Sequence, residues 1–165
     1  MEVERKHAAA IERIYRVRYG TFLRVAVAIV RDEQLAEEAV HDAFVRALRH
    51  QASFGRGSLE GWLWRIVVNE SRRREAAERQ KLRLFSPDAP DDAVAASNGH
   101  RDHAAVAALV AALPERQRLA LFLRYYADLD YEAIAVALGV KPGTVAATLH
   151  AAHAALRREL LEVER

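Results

Sequence analysis

The chain has 165 residues, 52% hydrophobic and 29% charged, the balance of an ordinary globular protein of one or two domains. It has no cysteine, which excludes disulfides and thiolate chemistry. Its net charge of +2 conceals an asymmetry: residues 1–82 hold 16 Lys and Arg against 12 Asp and Glu, whereas residues 102–165 hold 7 against 8. A polyanion bound mainly through charge is therefore expected on the first half.

The N-terminal stretch "MEVERKHAAAIERIYRVR" is charged throughout and lacks the apolar core of a signal peptide. The apolar run Val25 to Val30 is too short to cross a bilayer. The expectation is a cytoplasmic protein without membrane insertion.

Alanine supplies much of the apolar content and β-branched runs are short, which points to an all-α fold. Tyr15, Tyr19, Phe22, Leu23, Ala26 and Val30 recur at helical spacing. Arg31 and Asp32 interrupt that helix, and Asp32 is placed to cap the next one through its carboxylate. Leu35, Ala39, Phe44 and Leu48 form the stripe of the second helix. "QASFGRGSLEG" reads as a loop. A third helix starts near Leu59, carries Trp62, Ile66 and Val67, and runs into "RRREAAERQK".

A composition break follows at "SPDAPDDAVAASNGH". Proline and small polar residues build no packed face, so residues 86–101 read as a flexible linker between domains 1–85 and 102–165.

The second domain opens on a helix with Val106, Leu109, Val110 and Leu113. Pro114 suits the first turn of the next helix, whose inward face is Leu119, Phe122, Leu123 and Tyr126. Asp130 is a plausible N-cap, Gly139 ends that short helix, and Pro142 begins the last. Val145, Leu149, Ala152 and Leu156 form its apolar stripe. Ala135, Gly139 and Val145 supply the small contact residue, left-handed turn residue and aliphatic plug of a helix-turn-helix. From spacing alone an αα-hairpin without nucleic acid stays open.

Two sets of motifs resemble one family. "LPERQRLALFLRYYADLDYEAIAVALGVKPGTV" looks like domain 4 of the extracytoplasmic-function (ECF) sigma factors. "DEQLAEEAVHDAFVRALRH" and "GWLWRIVVNESRRREAAER" look like the two functional helices of sigma domain 2. The resemblance spans about residues 10–85 and 103–162, in family order. It implies two helical domains on a tether, and a transcription initiation factor rather than an enzyme. Such a factor binds core RNA polymerase, directs it to promoter DNA and helps melt the −10 region. Many relatives are held inactive by an anti-sigma factor, so that partner is possible here.

The resemblance also distributes roles. Glu37, Glu38, His41 and Asp42 fall on the helix that docks on core polymerase; without it, the carboxylates would read as an ordinary solvated face. The family usually has glutamine where this chain has His41. Phe54, Trp64, Arg65, Asn69, Arg72, Arg73 and Arg74 fall where the family contacts −10 DNA, as duplex and as melted single strand. Aromatic faces and cations suit unpaired bases and phosphates. Trp62, in line with Ile66, is expected in the core.

For the −35 element the candidates are Lys141, Gly143, Thr144, Thr148, His150, His153 and Arg157. Here the chain departs from its relatives. They carry a lysine after "GTV" and arginines along the next two turns; this chain has Ala146, Thr148, Ala151 and His153. Two alternatives follow: a sigma-like regulator whose helix-turn-helix binds a protein, or a stand-alone helix-turn-helix regulator. The pairs His100–His103 and His150–His153 have chelating spacing but lack further ligands. No metal or cofactor is expected.

Overall fold

A computed structural model of the chain describes residues 2–85 and 101–163. Among them are seven α-helices: α1 (Glu2–Val30), α2 (Glu33–Arg49), α3 (Leu59–Phe85), α4 (Arg101–Ala112), α5 (Glu115–Tyr125), α6 (Tyr131–Leu138) and α7 (Pro142–Val163). One 3₁₀ turn, Gln51–Ser53, lies between α2 and α3. The described residues contain no strand, and the fold is all-α as expected. Of the stretch read as a linker, residues 86–100 lie outside the described residues, and Arg101 is the first residue of α4.

Local chemistry sets the helix ends. Arg31 closes α1 in a left-handed conformation, φ 61°, and its amide bonds Val27 O at 2.7 Å. Asp32 then caps α2, its Oδ1 accepting from Leu35 N at 2.8 Å. Ser58 Oγ accepts from Gly61 N at 2.9 Å at the start of α3. Each such cap contributes about 1 kcal/mol. α6 is capped by Asp130, whose Oδ1 takes Ala133 N at 2.8 Å. It ends at Gly139, φ 66°, with the Val140 amide bonding back to Ala135 O at 3.0 Å. A left-handed residue closing a helix in this way satisfies carbonyls that would otherwise lack partners.

The buried residues of α2 are mostly small: Ala36, Ala39, Val40, Ala43, Phe44 and Ala47. They let α1 and α3 pack closely against it. α3 is the wall shared by the molecule, packing on α1, α2 and α6. Its buried set, Gly61, Leu63, Trp64, Val67, Val68, Glu70 and Ser71, is wider than one helical stripe. A single apolar cluster runs from Ile11 through Trp64 and Ile134 to Ala152. The two halves thus share a continuous core in this arrangement.

Four expectations change. Leu48 is 41% exposed, and Tyr126 is exposed as well. Leu48 belongs to the last turn of α2. Tyr126 is the residue after α5, where the chain turns away. The largest change concerns Trp64, which is fully buried rather than facing DNA. Its ring stacks on Phe22 with centroids 4.0 Å apart. Trp62, expected in the core, is only partly buried and packs against the cluster from its edge.

Candidate nucleic-acid and polymerase interface

The first surface is the outer side of α2. Burying the alanine face leaves Glu37, Glu38, His41 and Asp42 exposed together on the other. Beneath them lies Tyr19 of α1. Burial pushes its phenol above the ordinary value of 10.0, and the nearby Glu37 carboxylate and Tyr15 push it further the same way.

α3 runs beside this acidic face, and its three consecutive arginines point to three different carboxylate sets. Arg74 Nη1 donates to Glu38 Oε2 at 2.8 Å, and Arg74 Nη2 pairs with Asp42. Arg73 pairs with Glu70, a carboxylate that is nearly buried and lies 3.7 Å from Arg46 Nη2. Arg72 Nε donates to Glu115 Oε1 of α5 at 2.7 Å. "RRR" is therefore not a free basic run. Helical rotation of about 100° per residue splits it among α2, α3 itself and α5. Arg74 joins the acidic face through Glu38 and Asp42.

The remaining candidates on this side are partly or fully accessible. Arg65 and Asn69 are exposed on α3. Phe54 is half-buried after the 3₁₀ turn, edge-on to His7 at 5.3 Å and tilted against Trp62 at 5.6 Å. Trp62 therefore stands in the aromatic group that sequence reasoning assigned to Trp64. Its ring contact with Phe54 is the signal; spacing along α3 alone does not show it.

The second surface is the α6–α7 pair. The two helices turn through 95° across the three-residue break at residues 139–141, within the range of helix-turn-helix motifs. Ala135 and Val145 are buried at their crossing. Val145, Leu149 and Ala152 seat α7 as the stripe predicts. Lys141, Gly143, His150, His153 and Arg157 are exposed, and Thr144 and Thr148 half-buried. The Thr148 hydroxyl already donates to Thr144 O at 2.7 Å, so it offers DNA an acceptor only. His153 Nε2 lies 2.8 Å from the Tyr125 hydroxyl, which ties α7 to α5.

Among the described residues no helix by itself is long and apolar enough to cross a membrane. No group of three metal-ligating side chains is present among them either. His100 lies outside the described residues.

The fold and these surfaces define a two-part helical protein with a helix-turn-helix in its second part, the architecture of a DNA-binding transcription protein. The family model for sigma-70 region 2 matches residues 14–80, and that for sigma-70 region 4 matches residues 103–156. The RNA polymerase sigma-E factor of Streptomyces coelicolor is 30% identical, over 91% of this chain and 85% of that protein. The ECF RNA polymerase sigma factor SigE of Mycolicibacterium smegmatis is 29% identical, over 94% of this chain and 59% of that protein. A solved structure of the sigma factor RpoE with the anti-sigma factor NepR, from Bartonella quintana, superposes with a TM-score of 0.71. It is 26% identical and covers 93% of this chain and 98% of the other. The chain belongs to the sigma-70 family of RNA polymerase sigma factors and is of the extracytoplasmic-function type. It is a transcription initiation factor, working with core RNA polymerase at promoter DNA.

Proposed function

We propose a division of labour along the chain. The exposed face of α2, Glu37, Glu38, His41 and Asp42, docks on a basic surface of core polymerase. Arg74 sets the geometry of that face by bridging Glu38 and Asp42. Phe54, Trp62, Arg65, Asn69, Arg72 and Arg73 contact the −10 element, with Trp62 replacing Trp64 as the aromatic for an unpaired base. Lys141, Gly143, Thr144, Thr148, His150, His153 and Arg157 meet the −35 element. The working units are residues 1–85 and 102–165.

The observation that carries this reading is the acidic face of α2, exposed beside the arginine-bearing edge of α3 in the half that holds the positive charge. The chain acts in the cytoplasm, where its polymerase is, and no catalytic role is assigned to any residue. Likeness to an anti-sigma complex over nearly the whole chain supports an anti-sigma factor as a further partner. Pull-down with core polymerase followed by run-off transcription tests the proposal. Promoter-specific transcripts that need this chain are expected. A polymerase complex that starts at no promoter would overturn the DNA assignments.

A second reading has one observation behind it. The outer side of α7 shows Ala146, Ala147, Ala151 and Ala154 to solvent. Small residues allow close helix approach, so this face suits a protein partner in place of −35 DNA. It predicts that a co-purifying protein is lost when these alanines are enlarged, with no change in DNA binding.

A further inference from the structure

A polar cavity lies where the end of α1, the second half of α3 and the first turn of α5 meet. Its volume is about 310 Å³, and its lining is Ile29, Arg31, Glu75, Arg79, Glu115 and Arg118. Five of these six side chains are charged, and Ile29 is the one apolar wall. None of the residues assigned above to polymerase, −10 or −35 contact lines it. Such a lining suits a compact charged ligand and offers no surface on which a base could stack.

The charges around the cavity do not cancel. Both glutamates are already matched: Arg79 pairs with Glu75, and Arg72 Nε lies 2.7 Å from Glu115 Oε1. Four arginines thus surround two carboxylates, a surplus of two positive charges among these groups. The cations also oppose one another. Burial pushes the Arg118 guanidinium below its ordinary range, Arg31 pushes it further the same way, and Glu115 and Glu75 push back.

The fold nevertheless holds both in place. Arg118 Nη1 donates to Ala111 O at 2.9 Å and to Leu113 O at 3.2 Å. Those carbonyls lie at the end of α4, where a helix leaves acceptors without partners. The guanidinium is fixed by them, and its Nε and Nη2 hydrogens remain for a further acceptor. Arg31 projects from a left-handed backbone, φ 61°, which glycine adopts without strain and arginine does not. Outliers of this kind concentrate at ligand clamps.

We propose that this cavity is a binding site for a small diphosphate, gripped by Arg31, Arg79 and Arg118. Planar guanidinia hold phosphate oxygens in pairs, and an anion with two or more negative charges matches the surplus. The space takes about ten waters at about 30 Å³ each, more than one phosphoryl group displaces. Free pyrophosphate and the diphosphate end of a nucleotide share this chemistry.

Isothermal titration calorimetry of the full chain with sodium pyrophosphate, adenosine diphosphate and orthophosphate tests the site. One pyrophosphate is expected per chain, with submillimolar affinity and a higher melting temperature in its presence. Arg31→Gly removes one guanidinium and relaxes the left-handed turn. Arg79→Gln removes another and leaves Glu75 to repel the anion. Each should weaken binding about tenfold at unchanged helical circular dichroism. Arg116→Gln removes the same charge from an exposed neighbour outside the lining and should leave affinity as it was. Adenosine diphosphate binding more weakly than pyrophosphate identifies the free anion as the ligand, and equal or tighter binding identifies a nucleotide; either supports the site. Absence of binding by the parent chain would overturn it. Orthophosphate binding as tightly as pyrophosphate, or an equal loss in Arg116→Gln, would do the same.

Discussion

The indole of Trp64 lies on the ring of Phe22, with an interplanar angle of 27° and neither side chain exposed. Phe22 in turn meets Phe44 edge-on at 5.0 Å, so one aromatic stack joins α1, α2 and α3. Removing the largest ring leaves a cavity that fixed helices cannot fill. Trp64→Ala is expected to destabilise the chain by about 3–5 kcal/mol, read as a lower denaturant midpoint. Trp62→Phe leaves Trp64 as the only tryptophan. Its emission should resist acrylamide and ignore promoter DNA; quenching by DNA would return Trp64 to the interface.

Arg74 bridges Glu38 and Asp42, which are both about half-exposed. Exposed pairs contribute at most about 1 kcal/mol to folding, so Glu38→Gln with Asp42→Asn should barely change stability. If the face docks on a basic surface, the same two changes remove attraction where it guides association. Core-polymerase affinity should fall about tenfold, equivalent to about 1.4 kcal/mol. The fall should shrink as salt rises. Unchanged affinity in surface plasmon resonance would place the docking face elsewhere.

How much the sequence reveals depends on how local the cause is. Asp32, Asp130, Gly139 and the stripe Val145–Leu149–Ala152 were all readable, because capping, a left-handed turn and one buried face are properties of a few adjacent residues. Trp64 was misplaced for the opposite reason. α3 is covered by α1, α2 and α6, and a helix packed on several sides has no single stripe to read. The pairing of Arg72 and Arg74 is equally non-local. Their partners Glu115, Glu38 and Asp42 lie 32 to 43 residues away, whereas Arg73 pairs within α3 with Glu70. Gly61 gave no signal, since a Cβ there is opposed by the backbone of Ala133, whose O would lie 2.9 Å away.

Gly139 offers a direct check on the turn. Its φ of 66° is left-handed, and a Cβ there would touch nothing closer than 3.8 Å. Space is therefore available and only backbone strain opposes a side chain. Gly139→Ala should cost about 1–2 kcal/mol, measured by thermal or chemical unfolding. Gly139→Asn should cost less, because asparagine visits this region more readily. Equal stability of all three would mean that the turn adopts another conformation in solution.

Tyr19 links the core of the first domain to its acidic face. Burial first, then Glu37 and Tyr15, raise its phenol above 10.0. The folded state therefore favours the neutral phenol more than the unfolded state does. Its contribution to stability is complete below pH 10 and disappears as pH rises through the elevated folded value. Tyrosinate absorbance should show a late-titrating group, absent in Tyr19→Phe and moved to lower pH in Glu37→Gln. A titration identical in all three proteins would show that the phenol does not sense that carboxylate.

The alanine-rich face of α7 decides what the last helix reads. Ala146 and Ala151 are exposed, and between Lys141 and Arg157 the helix has no lysine or arginine. Each phosphate contact steepens the logarithmic dependence of DNA affinity on salt by about 0.9. Ala146→Lys with Ala151→Arg should therefore steepen the slope by about two units. Promoter affinity should rise at low salt while preference between promoters stays the same, because phosphates carry no sequence. Thr148 is left unchanged, since its hydroxyl is held by Thr144 O and a long side chain there would disturb the helix. Filter binding across a salt series measures both quantities. An unchanged slope would mean that the face does not approach DNA, and would favour the protein-binding reading of α7.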